Sequence, residues 1–384
     1  MATAVRTVEE LIADLKTFFH PDPARLAQAH AFDEALFYGR EPARFLCGLP
    51  GDPAPGHTEK SFNHAEQFHD RRKMFYEHFR SMVAVARGGR GFAVPRLRAN
   101  LGTGFIASTF GVDQLIFDDK MPWPQGHISK EELSRLDPAE FESVADKGLV
   151  PRALEIYDYY YRELGTHAYS FVPDTQGVLD IAHLVRGDEI FFDPFDDPPF
   201  MHHLMECCCR AFIAVTKCIK NAINEPMTSG NHGGMSLCNG GTRYCMDTSV
   251  LFSRAMVEEF ERPYLEQALG AFGGGYVHFC GYAPHLTELL CDVPLVRAIN
   301  PNYMDSRPYD YDRDLQLMQD ADKAFFGAPF KCAGESLDQY FDRVLRPLRQ
   351  PGGLRFGPRG EGMAEYTADD IESAWNAAVE RRFV

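Results

Sequence analysis

The run Gly273-Gly274-Gly275-Tyr276-Val277-His278-Phe279-Cys280-Gly281-Tyr282 sets an imidazole and a thiol two residues apart in a short apolar stretch framed by glycines. Strand side chains repeat every two residues, so His278 and Cys280 would leave one strand on the same face. Both residue types suit Zn²⁺, and two of them at a strand end make half of a metal site. The competing reading is core packing, because free cysteine is among the most buried residue types. The context along the chain decides between the two.

That context is an alternation of short apolar runs with helical patterns. After the segment 92–95, strand-like runs fall at 113–117, 168–173, 242–247, 276–280, 295–300, 324–330 and 354–357. Helical spacing fills intervals between them, at 130–164, 201–223, 250–269, 336–348 and 368–382. About eight strands interleaved with helices predict a parallel α/β fold, and eight units favour a closed (α/β)8 TIM barrel. Chemistry in such a barrel sits at the C-terminal strand ends. Those ends read Arg98, Asn100 and Gly102; Asp118, Asp119 and Trp123; Asp174, Thr175 and Gln176; Asp247 and Ser249; His278 and Cys280; Asn300, Asn302 and Asp305; Lys331 and Cys332; Arg359 and Glu361. Some of these types would stand there as helix caps in any case.

Residues 1–88 read as a helical extension, with an acidic amphipathic start, a Gly/Pro-rich loop at 48–56 and a helix over 62–87 that Gly88-Gly89-Arg90-Gly91 ends. Residues 89–384 form the barrel. The 384 residues carry 55 acidic against 39 basic side chains and no basic cluster, so nucleic acid is not an expected partner. No apolar run reaches the roughly 18 residues a membrane span needs, and the N-terminus lacks the pattern of a secretory signal, so a soluble cytoplasmic protein is expected. The ten cysteines show no paired spacing and read as reduced thiols. Cys207-Cys208-Cys209 fan out by about 100° each on a helix and read as buried filler. Cys238 and Cys245 read as structural, and His64, His69, His202 and His203 as surface or helix-face residues. Gly233-Gly234 and Gly240-Gly241 do not form a nucleotide-binding glycine motif.

His278-Phe279-Cys280-Gly281, the preceding Asp247-Thr248-Ser249 with Phe260-Glu261-Arg262-Pro263-Tyr264, and the closing Gly360-Glu361-Gly362-Met363 resemble the uroporphyrinogen decarboxylase superfamily. Pro173-Asp174-Thr175-Gln176-Gly177 with Leu184-Val185-Arg186-Gly187-Asp188-Glu189 is similar too. The resemblance spans roughly residues 90 to 384 and implies an (α/β)8 barrel, in agreement with the strand count. True decarboxylases of that superfamily carry an N-terminal Arg-Gln-Ala-Gly-Arg motif and an acid after it. The nearest stretch here, Pro95-Arg96-Leu97-Arg98-Ala99-Asn100-Leu101-Gly102, puts the neutral Asn100 where the acid is expected. An amide cannot stabilise the charge on a protonated pyrrole, which disfavours porphyrinogen decarboxylation.

His278-x-Cys280 resembles instead the cobalamin-dependent methyltransferase branch. The resemblance implies zinc held by this pair and a distant third ligand, usually cysteine in a closing Gly-Cys-Gly. Here Glu361 occupies that position, and Cys332 is its competitor. Zinc would lower a thiol pKa or act as a Lewis acid on a methoxy or amine donor, with the methyl passing to or from a corrinoid. No segment reads as a corrinoid module, so the cofactor is expected on a partner protein. Asp247 and Asp174 are candidates for orienting substrate or moving a proton; Arg98, Asn100 and Tyr282 are candidates for lining the pocket. The alternatives are a decarboxylase-like lyase acting on a non-porphyrin acid, with Arg96 or Arg98 as its clamp, and a barrel that binds metal or tetrapyrrole without turnover. A homodimer is left open.

Overall fold

In the computed structural model, the described residues are 6–37, 61–87, 96–232, 235–303, 309–327, 329–350, 352–355 and 357–383. The run at 92–95, the glycines at 88–91 and 233–234, the loop at 48–56, Cys47 and Asp305 lie outside them, as does the expected boundary between residues 88 and 89.

Among the described residues, the sheet that organises the molecule is parallel and five-stranded, in sequence order: β5 Thr242–Cys245, β6 Gly275–Cys280, β7 Val296–Asn302, β8 Ala324–Phe326 and β9 Leu354–Arg355. Two isolated parallel bridges, Leu97↔Ser170 and Lys331↔Gly360, mark further extended segments outside this ladder. The strands alternate as period two requires. Val277, Phe279, Ile299, Phe325 and Leu354 point into one large apolar core shared with the helices. Tyr276, Ala298 and Ala324 belong to a small separate cluster with Leu237.

The run at 113–117 departs from the expectation. Asp113–Leu115 (β1) pairs antiparallel with Trp123–Gln125 (β2) as a separate hairpin. Its exposed, half-buried, exposed pattern gives it no buried face to bring to a parallel sheet. A second hairpin joins β3 Gly230–His232 to β4 Met235–Leu237.

The expected helices are present; Pro198–Ala222, Leu337–Leu345 and Ala368–Phe383 are unbroken, and others are cut. The 130–164 pattern divides into Lys130–Leu133, a 3₁₀ turn Pro138–Phe141 that Asp137 caps, and Val150–Leu164 with a proline in its first turn. The 62–87 pattern breaks at Asp70, which adopts an extended conformation and caps Arg72. The helix Pro198–Ala222 buries all of Cys207, Cys208 and Cys209, in keeping with their reading as filler. Among the described residues, no helix is long and apolar enough to cross a membrane.

Candidate metal centre

Register builds the centre. In the parallel ladder Cys245 of β5 stands opposite His278 of β6, His278 opposite Asn300 of β7, and Cys280 opposite Asn302. The period-two expectation for β6 holds, with His278 Nε2 3.3 Å from Cys280 Sγ.

Asn300 fixes which nitrogen of His278 is available. Its Nδ2 donates to the Phe326 carbonyl, which can only accept, so its Oδ1 faces the other way. That oxygen accepts the Tyr276 hydroxyl at 3.1 Å and lies 2.6 Å from His278 Nδ1. Nδ1 therefore carries the proton, and the Nε2 lone pair points to Cys280. Burial, followed by the positive field of Arg243, holds His278 below the ordinary imidazole range and keeps the ring neutral, as a ligand requires. Burial also pushes the Cys280 thiol up, against a hydrogen bond from Asn302 Nδ2 at 3.5 Å.

Asp247 brings a carboxylate to His278. Its Oδ1 accepts the Cys280 backbone N–H at 2.6 Å and stands 3.9 Å from His278 Nε2. Donor atoms of Cys245, Asp247 and His278 all lie within 4.8 Å of one another. Asp247 is held from behind by Asp180, on the helix Val178–Arg186. The Asp180 carboxylate accepts the backbone N–H of Asp247 at 3.2 Å and of Thr248 at 2.7 Å. Burial and then the neighbouring Asp247 raise Asp180 to about 6. Gly177 lets this helix start against β5, because a Cβ there would stand 1.9 Å from the Cys245 carbonyl oxygen.

Asp174 lies beside this group rather than in it. Arg243 Nη1 donates to Asp174 Oδ1 at 2.6 Å and to the Thr175 carbonyl at 3.2 Å, latching the loop onto β5. Burial would raise Asp174, but Arg243 foremost, with Arg98, outweighs it and holds the carboxyl below its usual range. Arg98 contacts Asn100 Oδ1 at 3.4 Å, and Tyr282 is an exposed ring beside Tyr309.

Glu361 and Cys332 are both exposed and stand outside the group of Cys245, Asp247 and His278; Cys280 stands outside that group as well and is tied to it through His278 Nε2. Glu361 follows the Lys331↔Gly360 bridge, where its N–H and carbonyl both bond Lys331. The sequence reading missed Cys245 as a donor, Asp180 as a support and Arg243 as a latch. Only Asp180 carried a local signal, an acid among Val178, Leu179, Ile181 and Ala182 on a buried face.

The residues present fit zinc. Two thiols, an imidazole and a carboxylate are its usual donors, and tetrahedral zinc sets sulfur and nitrogen ligands about 3.5 Å apart, close to the His278–Cys280 spacing. The molecule is thus a mixed α/β protein with a metal-competent cluster on its parallel sheet. No protein-family model and no curated protein matches the chain. Among solved structures it resembles a methyltransferase from Methanosarcina mazei, with a TM-score of 0.56 and 12% identity, over 93% of this chain and 99% of that one. At that identity the likeness is one of fold.

Proposed function

We propose that this chain is a zinc-dependent methyltransferase that moves a methyl group between a small methoxy, methylamine or thiol compound and a corrinoid carried by a partner protein. The observation that carries the reading is the convergence of a proton-fixed His278 Nε2 with Cys280 Sγ. The name of the similarly folded Methanosarcina mazei protein is consistent with it. The reading includes closure of the sheet into an (α/β)8 barrel through the segments around Leu97, Ser170, Lys331 and Gly360.

We assign the metal to His278, Cys280 and Asp247, with Cys245 beside them; Glu361 and Cys332 are the ligands to test against Asp247. Zinc bound there would lower the pKa of a thiol or polarise a methoxy or amine donor. The protein's own part is positional. Asn300 holds the His278 ring, Asp180 and the Cys280 N–H hold Asp247, and the Arg243–Asp174 pair fixes the adjoining loop. Support for a docked partner comes from the exposed side chains Leu251 and Tyr282, on the connections that follow β5 and β6.

Metal analysis tests the reading. The parent should hold about one zinc per chain, and the His278→Ala/Cys280→Ala variant none. Asp247→Ala should lose zinc while Glu361→Ala keeps it. A carefully handled parent without metal would end the proposal. Methyl transfer to cob(I)alamin across a panel of donors then separates a catalyst from a metal-binding protein.

A further inference from the structure

The closing segment does reach the metal centre, through a residue just ahead of Glu361. Arg359 precedes the Lys331↔Gly360 bridge and is half-buried, its guanidinium carbon 4.3 Å from the centroid of the Phe330 ring. Its Nη1 donates to Asn302 Oδ1 at 3.2 Å and its Nη2 to the Tyr303 carbonyl at 3.0 Å. Two donors of one planar fork thus span neighbouring residues where β7 ends. Asn302 is the last residue of that strand and stands opposite Cys280 in the register.

A guanidinium has donors only, so its contact settles which way the Asn302 amide lies. The oxygen faces Arg359, and the NH2 group is left to face the Cys280 sulfur, 3.5 Å away. Without Arg359 the amide would be free to turn, and its oxygen would then stand against that sulfur. Two acceptors would meet there, because a sulfur that binds zinc must be a thiolate. An N–H on a thiolate stabilises its charge and draws electron density from it, and a less basic thiolate is a poorer nucleophile. That matters beside a methyl donor. A ligand thiolate competes with the substrate for the methyl group, forming a carbon–sulfur bond as the leaving group departs with its electron pair. The neutral thioether left at Cys280 would no longer offer the metal a thiolate.

We propose that Arg359 is a positioning residue of the metal centre: through Asn302 it holds an N–H on the Cys280 sulfur and so keeps that ligand from being methylated in place of the substrate. The proposal rests on the metal-centre reading for what the bond protects. The Arg359–Asn302–Cys280 geometry itself stands without it.

Cobalt(II) loaded in place of zinc reports on the sulfur through its thiolate-to-metal charge-transfer band. Asn302→Leu and Arg359→Met should both move the band to longer wavelength at unchanged metal content, and Arg359→Lys, which keeps a donor for Asn302 Oδ1, should stay close to the parent. On the zinc-loaded proteins, methyl iodide should modify Cys280 about threefold faster or more in the two shifted variants, the factor that one unit of added basicity gives a thiolate. Peptide mass spectrometry reads this, with the exposed Cys332 as internal reference. A parent-like band and rate in Arg359→Met would overturn the proposal, and so would a shift in either variant that the other does not share. A parent that takes up neither cobalt nor zinc would end the metal reading. In that protein the Asn302 side-chain amide resonance, identified by its loss in Asn302→Leu, should still move in Arg359→Met, and an unmoved resonance would overturn the positioning role as well.

Discussion

Asn300 makes no contact with Cys280, yet it sets how well the pair can bind. With the Asn300 oxygen accepting from Nδ1 at 2.6 Å, His278 presents a lone pair at Nε2 and cannot turn its ring without losing that bond. Supports of this kind usually matter roughly tenfold to a hundredfold in metal affinity. Asn300→Leu should therefore weaken zinc by about that factor, and Asn300→Asp, which keeps the acceptor, should bind as well as the parent or better. Competition with a chromogenic chelator reads both, and a parent-like Asn300→Leu would show that the amide does not orient the ring. The His278–Cys280 pair was legible in the sequence because period two is a local property of one strand. Cys245 and Asp247 were not legible as its neighbours, because the Cys245↔His278 register joins residues 33 positions apart and no local pattern encodes it.

Elements were legible where one amphipathic period ran unbroken, as in Pro198–Ala222, and less so where capping chemistry cut a longer pattern. The interval 250–269 shows the difference. Apolar spacing reads as one helix, but the chain forms Arg254–Met256, a π turn Val257–Glu261 and then Arg262–Gly270. Pro263 in the first turn of the last piece has no N–H, and the Arg262 N–H bonds back five residues to the Val257 carbonyl, widening the turn. The turn carries Glu261, fully buried, into contact with the Tyr244 hydroxyl, and desolvation raises its carboxyl to about 8. The sign follows. Below the unfolded value near 4.5 both states are protonated; between there and about 8 only the unfolded state ionises, so stability falls as pH rises. Glu261→Gln has no such cost. From pH 5 to pH 8.5 the parent should lose stability relative to this variant, by a few kcal/mol to order of magnitude. Denaturant unfolding of both proteins across that range measures it, and parallel curves would show that Glu261 ionises freely in the fold.

At the scale of the whole molecule, the N-terminal segment does more than lie against the helices. Asp33, on the helix Pro23–Phe37, is fully enclosed, accepts the Ser236 backbone N–H of β4 at 2.7 Å and lies 3.2 Å from Arg355 Nε of β9. Three segments far apart in sequence thus meet at one carboxylate, and one of them belongs to the hairpin that carries His232. Burial raises the pKa of Asp33, and Arg355 foremost among its neighbours opposes that rise. A buried pair is weak evidence of net stability, but removing one member is costly, because the other charge keeps its burial and loses its counter-charge. Asp33→Ala should cost about 3–5 kcal/mol in denaturant unfolding. An appendage whose contacts were superficial would change by no more than about 0.5 kcal/mol on the same substitution. Zinc content separates two ways of losing that stability. If Asp33 braces only the hairpin and β9, the folded variant should still bind zinc like the parent, because Cys245, Asp247, His278 and Cys280 take their places from β5 and β6. Loss of zinc from the folded variant would instead mean that the N-terminal helix supports the entire sheet.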